Sequence, residues 1–214
     1  MALKSRAADP LPAAGAKPAP TGPTVTGRPC GGLARALARA FREGKPEILV
    51  LGPLCGESAV YLAGRGARVH VEDFEPPPPH PVRRPGEPPS EVVPFRFDQP
   101  NSVFHLVLAW EVADFVPPDR LGEYGAELRR IVRDGGGLFF LSHSRPEPDD
   151  DRTSRYLLLA DDLIERQVVG RERRPRYVHP TRDLEMALRG FTIQGIQLQR
   201  NQMREITALK AGMG

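Results

Sequence analysis

The apolar positions fall into segments whose spacing changes along the chain. Leu33, Leu37 and Phe41 recur at i, i+4 and i+8, which predicts an amphipathic helix opening after Gly31-Gly32 and ending at Glu43-Gly44. Glu47-Ile-Leu-Val-Leu51 is a short continuous run rich in branched residues and predicts a buried strand. It leads into the turn Gly52-Pro-Leu-Cys-Gly56. Ala59, Val60, Leu62 and Ala63 then mark a second helix, stopped by Gly64-Arg-Gly66. Ala67-Arg-Val-His-Val71 predicts another strand, closing on Glu72-Asp73. Strand, glycine turn, helix and strand in this order make a βαβ unit.

From Pro76 to Pro89 the prolines at 76–79, 81, 85, 88 and 89 forbid a helix or a central strand, so this stretch is a loop where a third strand–helix element would lie. Phe104-His-Leu-Val-Leu-Ala-Trp110 is the next strand. Leu121, Tyr124, Leu128, Ile131 and Val132 form a helical stripe, Asp134-Gly-Gly-Gly137 is expected to end that helix, and Leu138-Phe-Phe-Leu141 is again a buried strand. Tyr156-Leu-Leu-Leu159 reads equally as strand or short helix. Thr181 to Leu188 reads as a helix with Thr181 as its N-cap. Phe191–Leu198 and Glu205–Lys210 are two strands joined by the short link Arg200–Arg204, hence an antiparallel pair at a sheet edge. The pattern predicts an α/β protein with a mostly parallel sheet and an antiparallel C-terminal strand pair.

Composition adds a tail. Residues 1–29 are rich in Ala, Pro and Gly, with prolines at 10, 12, 18, 20, 23 and 29 and no apolar period, so they are expected to be disordered, leaving 30–214 as one domain. The net charge of +3 is carried largely by arginines at 152–176 and by Arg83-Arg84. No aromatic residues interleave these charges, so there is no clear nucleic-acid signal, and a solvated arginine-rich surface is the expectation. Cys30 and Cys55 show no metal-binding spacing. The start of the chain lacks the apolar core of a secretory signal, and no apolar run is long enough to span a bilayer, so a cytoplasmic protein is expected.

The candidate chemistry collects at the predicted strand ends. Gly52 and Gly56, with Pro53 between them, stand where backbone must approach a ligand closely, and Glu72 follows Gly52 by twenty residues, a spacing that suits an acceptor for ribose hydroxyls. Asp73 is the alternative acceptor. His143, after the Leu138–Leu141 strand, is a candidate polar residue of the same pocket. His105, His70 and Cys55 read as structural. No nucleophile–base grouping supports covalent catalysis.

Three stretches in this order resemble the class I S-adenosylmethionine-dependent methyltransferases: Ile48-Leu-Val-Leu-Gly-Pro-Leu-Cys-Gly56, Val69-His-Val-Glu-Asp73, and Phe104-His-Leu-Val-Leu-Ala-Trp-Glu-Val112 leading to Leu128-Arg-Arg-Ile-Val-Arg-Asp-Gly-Gly-Gly-Leu138. The resemblance spans roughly 33–210. It implies a Rossmann-like fold and S-adenosylmethionine held by Gly52, Pro53, Gly56 and Glu72 or Asp73. It further places Asp98 near the adenine, and Trp110 and Glu111 where cofactor and acceptor meet. The acceptor is small or undefined, and no catalytic residue is assigned, because methyl transfer rests mainly on alignment. The chain departs from the family pattern at Val50, where an acid is usual, at Leu54, where a glycine is usual, and at His105, where Asp is common. These departures raise the alternative of a methyltransferase-like domain used for binding or scaffolding. A nicotinamide-dependent enzyme is a third reading, opposed by the missing GxGxxG and by the antiparallel C-terminal pair.

Overall fold

A computed structural model describes residues 27–53, 55–81, 92–146, 152–173 and 176–212. The expected tail up to residue 26, Leu54 and the part of the proline loop at 82–91 lie outside the described residues. The described chain opens with a two-residue strand, β1 (Arg28–Pro29). It continues with α1 (Gly31–Ala40), β2 (Glu47–Leu51), α2 (Gly56–Gly64), β3 (Arg68–Glu72), β4 (Phe104–Leu108), α3 (Leu121–Ile131) and β5 (Val132–His143). A hairpin follows, β6 (Arg152–Ala160) and β7 (Leu163–Arg173), then α4 (Thr181–Ala187), β8 (Phe191–Leu198) and β9 (Met203–Lys210).

The main sheet has the order β3-β2-β4-β5-β9-β8. The first four strands run parallel, with Ile48 opposite Leu106 and Leu106 opposite Gly137. Strand β9 is antiparallel to both β5 and β8, which is the predicted C-terminal pair. Alternation along each strand divides the core in two. Leu49, Val107, Leu138 and Phe140 pack with Tyr124 and Leu128 of α3 and Leu184 of α4. Ile48, Val50, Leu106, Leu108, Phe139 and Leu141 pack on the other face with Leu33 and Leu37 of α1 and Leu62 of α2. Both faces are covered, which is why these strands read as unbroken apolar runs.

Two expectations need correction, and one open alternative is decided. The glycine run does not end the helix: α3 stops at Ile131 and β5 begins at Val132, carrying Gly135–Gly137 as an irregularity against β4. Gly135 has φ +72, and a Cβ on Gly136 would lie 2.8 Å from the carbonyl oxygens of Arg133 and Phe104, so the glycines serve a close strand approach. Thr181 is the first residue of α4, not its cap. Pro180 precedes the helix, and the Thr181 hydroxyl accepts from Arg204 Nη1 at 3.1 Å. Tyr156–Leu159, left open between strand and helix, is strand, part of β6. That strand joins β7 and β1 in a separate antiparallel sheet. Cys30 and Cys55 are both buried free thiols. No helix among the described residues is long and apolar enough to cross a membrane.

Candidate functional site

The four parallel strands end on one side of the sheet, where the β2–α2 turn and the end of β3 meet. Gly52, at the end of β2, has φ +106, a left-handed conformation that a side chain would strain. Its N–H donates to the Glu72 carbonyl at 2.9 Å, fixing the ends of β2 and β3 together. Glu72 Oε1 accepts from the Asp98 N–H at 2.9 Å. Glu72 Oε2 is buried without a hydrogen-bond partner, and neither Glu72 nor Asp98 lines the cleft beside the glycine turn.

Gly52, Pro53, Asp73, Trp110 and Glu111 line one cleft, together with Phe74, Pro76, Val112, Phe115 and Ser154. Gly56 does not line it. It opens α2 with open space where a side chain would stand. Val50, at the position where an acid is usual, packs into the apolar core on the α1–α2 face. Sequence reasoning missed Ser154, whose buried hydroxyl is without a partner in the cleft wall. It belongs to the hairpin that the apolar pattern left ambiguous.

The cleft holds only about 30 Å³. Pockets for small ligands run to roughly 300–1,000 Å³. The hairpin supplies Ser154 to its wall and packs against Trp110 and Glu111 behind it. Tyr156 stacks on Trp110 with ring centroids 4.9 Å apart and planes at 19°. The Tyr156 hydroxyl donates to Glu111 Oε1, and burial together with that carboxylate raises the phenol well above its ordinary pKa. Ser58, in the first turn of α2, donates to the Tyr156 carbonyl at 2.9 Å and accepts from the Leu158 N–H at 2.9 Å. Tyr61 of α2 and Arg65, the residue that caps its C-terminus, both reach Asp161 at the hairpin tip.

A buried ion network backs the cleft. Glu111 accepts from Arg176 Nη1 at 2.9 Å and pairs with Arg166 Nε at 3.0 Å. Asp114 is fully buried. It accepts from Ser142 Oγ at 2.8 Å and the His143 N–H at 2.9 Å, and lies 2.6 Å from His143 Nδ1. His143, anticipated as a polar pocket residue, is therefore a member of this network and is itself fully buried. Arg204 donates to the carbonyls of His143 and His179 at 2.6 and 2.8 Å, and burial lowers its pKa. Two carboxylates are thus compensated by several guanidinium groups, without which burying them would be costly. Asp114, Arg166, Arg176 and Arg204 carried no spacing signal, because their contacts join segments far apart in the chain.

The chain shares its fold with solved methyltransferases. An S-adenosylmethionine-dependent methyltransferase from Mesorhizobium loti is similar with a TM-score of 0.53 at 13% identity, over 82% of this chain and 95% of that one. The [4+2]-cyclase SpnF is similar with a TM-score of 0.51 at 13% identity, over 84% and 80% of the two chains. No protein-family profile matches the chain, and no curated protein matches it in sequence. The fold is that of the class I S-adenosylmethionine-dependent methyltransferases, and the cyclase among the similar structures shows that this fold serves more than one chemistry.

Proposed function

We propose that the crevice beyond β2 to β5 binds S-adenosylmethionine and that the protein transfers its methyl group to a small acceptor. The observation that carries this reading is the unpartnered Glu72 Oε2 at the end of β3, a strand end whose carbonyl is held by the positive-φ Gly52, within a methyltransferase fold. A carboxylate oxygen in that place accepts hydroxyl donors such as those of a ribose. Bound, the cofactor supplies an activated methyl group on a positively charged sulfur. Gly52 and Pro53 would bring backbone close to it, with Asp73 as a second acceptor and Asp98 beside the base. Trp110 would form the wall where the acceptor meets it. No side chain is assigned as acid or base, because the residues' work is alignment and exclusion of water.

Two features set the affinity. The hairpin must open before a ligand of this size enters, so part of the intrinsic affinity is lost to that rearrangement. The cofactor's ammonium group finds valine at position 50, and Glu111 is already held by Arg176, Arg166 and Tyr156. A missing charge-assisted contact weakens binding by about tenfold to a hundredfold.

Calorimetric titration with S-adenosylmethionine and S-adenosylhomocysteine tests the reading. Saturable binding that is lost in Glu72→Ala supports it. No binding at millimolar ligand sinks it and leaves a domain that uses the fold for binding or scaffolding.

A further inference from the structure

At the other end of the sheet from the glycine turn, α1 and strands β8 and β9 enclose a second groove of about 390 Å³. Its size falls in the range of small-molecule sites. Arg35, Arg39 and Arg42 follow at i, i+4 and i+7 along α1 and the turn after it, and all three line the groove. All three are exposed. Arg35 and Arg42 have no ion-pair partner among the described residues, and Arg39 reaches only the Gly135 carbonyl, at 3.5 Å. The nearby acids are engaged elsewhere: Glu43 with Arg133 at 2.7 Å and Asp134 with Lys210 at 3.2 Å.

The rest of the lining adds donors. His105 Nδ1 accepts from the Glu47 N–H at 3.1 Å, which places the proton of the neutral ring on Nε2. Burial and the charge of Arg133 lower the pKa of this histidine, so the neutral ring with its single N–H is the form present near pH 7. Gln194, whose amide also donates to the Thr192 carbonyl at 3.4 Å, and Thr207, whose hydroxyl donates to the Gly195 carbonyl at 3.5 Å, complete the polar wall. Guanidinium, imidazole N–H and amide donors with no unengaged carboxylate suit an oxyanion. No Phe, Tyr or Trp lines the groove, so it lacks the stacking platform that single-stranded nucleic acid uses.

We propose that this groove binds a small, multiply charged phosphate compound, independently of the crevice at the opposite end. Arg35, Arg39 and Arg42 hold the phosphate oxygens and His105 donates a further hydrogen bond.

Titration calorimetry with inorganic pyrophosphate at low ionic strength, on the full chain, tests this. The expected result is saturable one-to-one binding that weakens as salt is raised. The triple variant Arg35→Gln, Arg39→Gln, Arg42→Gln should bind at least about tenfold more weakly. Its melting temperature should match the wild type, because these side chains are exposed, and its response to S-adenosylmethionine should be unchanged. The proposal is overturned by no saturation at millimolar pyrophosphate, by equal binding by the triple variant, or by equal heats from sulfate at the same ionic strength. Saturable binding of a single-stranded oligonucleotide without any of pyrophosphate also overturns it.

Discussion

The backbone N–H of Asp98 donates to Glu72 Oε1 across 2.9 Å, so two residues expected at adjoining parts of one ligand, its adenine and its ribose, are bonded directly to each other. Only Oε2 remains for a ligand. Replacing Glu72 by Gln keeps an acceptor for Asp98 but removes the charge. Under the cofactor reading, Glu72→Gln should weaken S-adenosylmethionine by roughly tenfold, one charge-assisted hydrogen bond. Glu72→Ala should weaken it further. Titration calorimetry reads both, and equal affinities across the series would remove Glu72 from the site.

Tyr156 packs against Trp110 and Glu111 behind the cleft. Tyr156→Phe keeps the ring stack and removes the hydrogen bond to Glu111. The closed state is then less favoured, and a ligand that needs the open state should bind more tightly, by up to about tenfold. Weaker binding of S-adenosylmethionine by the Phe variant would show that the hairpin does not compete with the ligand.

Gly125 sits inside α3, where alanine would ordinarily stabilise by about 1 kcal/mol. Here a Cβ would lie 1.9 Å from the Ala187 carbonyl oxygen of α4, a backbone atom that cannot turn aside. Gly125→Ala is therefore expected to destabilise, by about 1–3 kcal/mol or more. Urea unfolding measures it, and a gain in stability would refute the close α3–α4 contact.

Glu127 ties α3 to the loop before β4. Its carboxylate accepts from Arg130 and from the Phe97 N–H at 2.9 Å. Burial pushes its pKa up, but these hydrogen bonds and the charge of Arg130 outweigh it and hold the carboxyl below its ordinary value. The folded state therefore binds this proton less readily than the unfolded chain. The contribution is present above the unfolded pKa of about 4.3 and is lost as pH falls through the depressed folded value. Denaturation of wild type and Glu127→Gln should show a stability gap at neutral pH that closes in acid.

The N-terminal boundary is open to truncation. A chain starting at Gly27 should melt with the full-length protein, because the composition of residues 1–26 gives them little apolar surface to bury. A chain starting at Gly31 loses the pairing of β1 with β7 and the Cys30 N–H bond to the Asp162 carbonyl at 2.6 Å. Its melting temperature should fall by a few degrees, since about 1 kcal/mol corresponds to roughly 2–4 °C at this chain length.

By itself, the sequence determined the elements of the main sheet and their order, but not the β6–β7 hairpin. Apolar runs such as Ile48–Leu51 and Leu138–Leu141 must be covered on both faces, so a layered α/β sheet follows from local pattern alone. The pairing of Gly52 with Glu72 was legible for the same reason: a βαβ unit of fixed size returns the second strand beside the first. The tertiary structure alone decided what lies over the strand ends. Glu111 and Tyr156 are 45 residues apart, and Asp114 and Arg176 are 62 apart. No local spacing encodes such pairs, because they form only when the hairpin folds back onto α2. Gly135–Gly137 misled for a related reason. A glycine run signals backbone freedom, and whether that freedom ends a helix or admits a close strand depends on the Phe104 carbonyl, which only the assembled sheet places there.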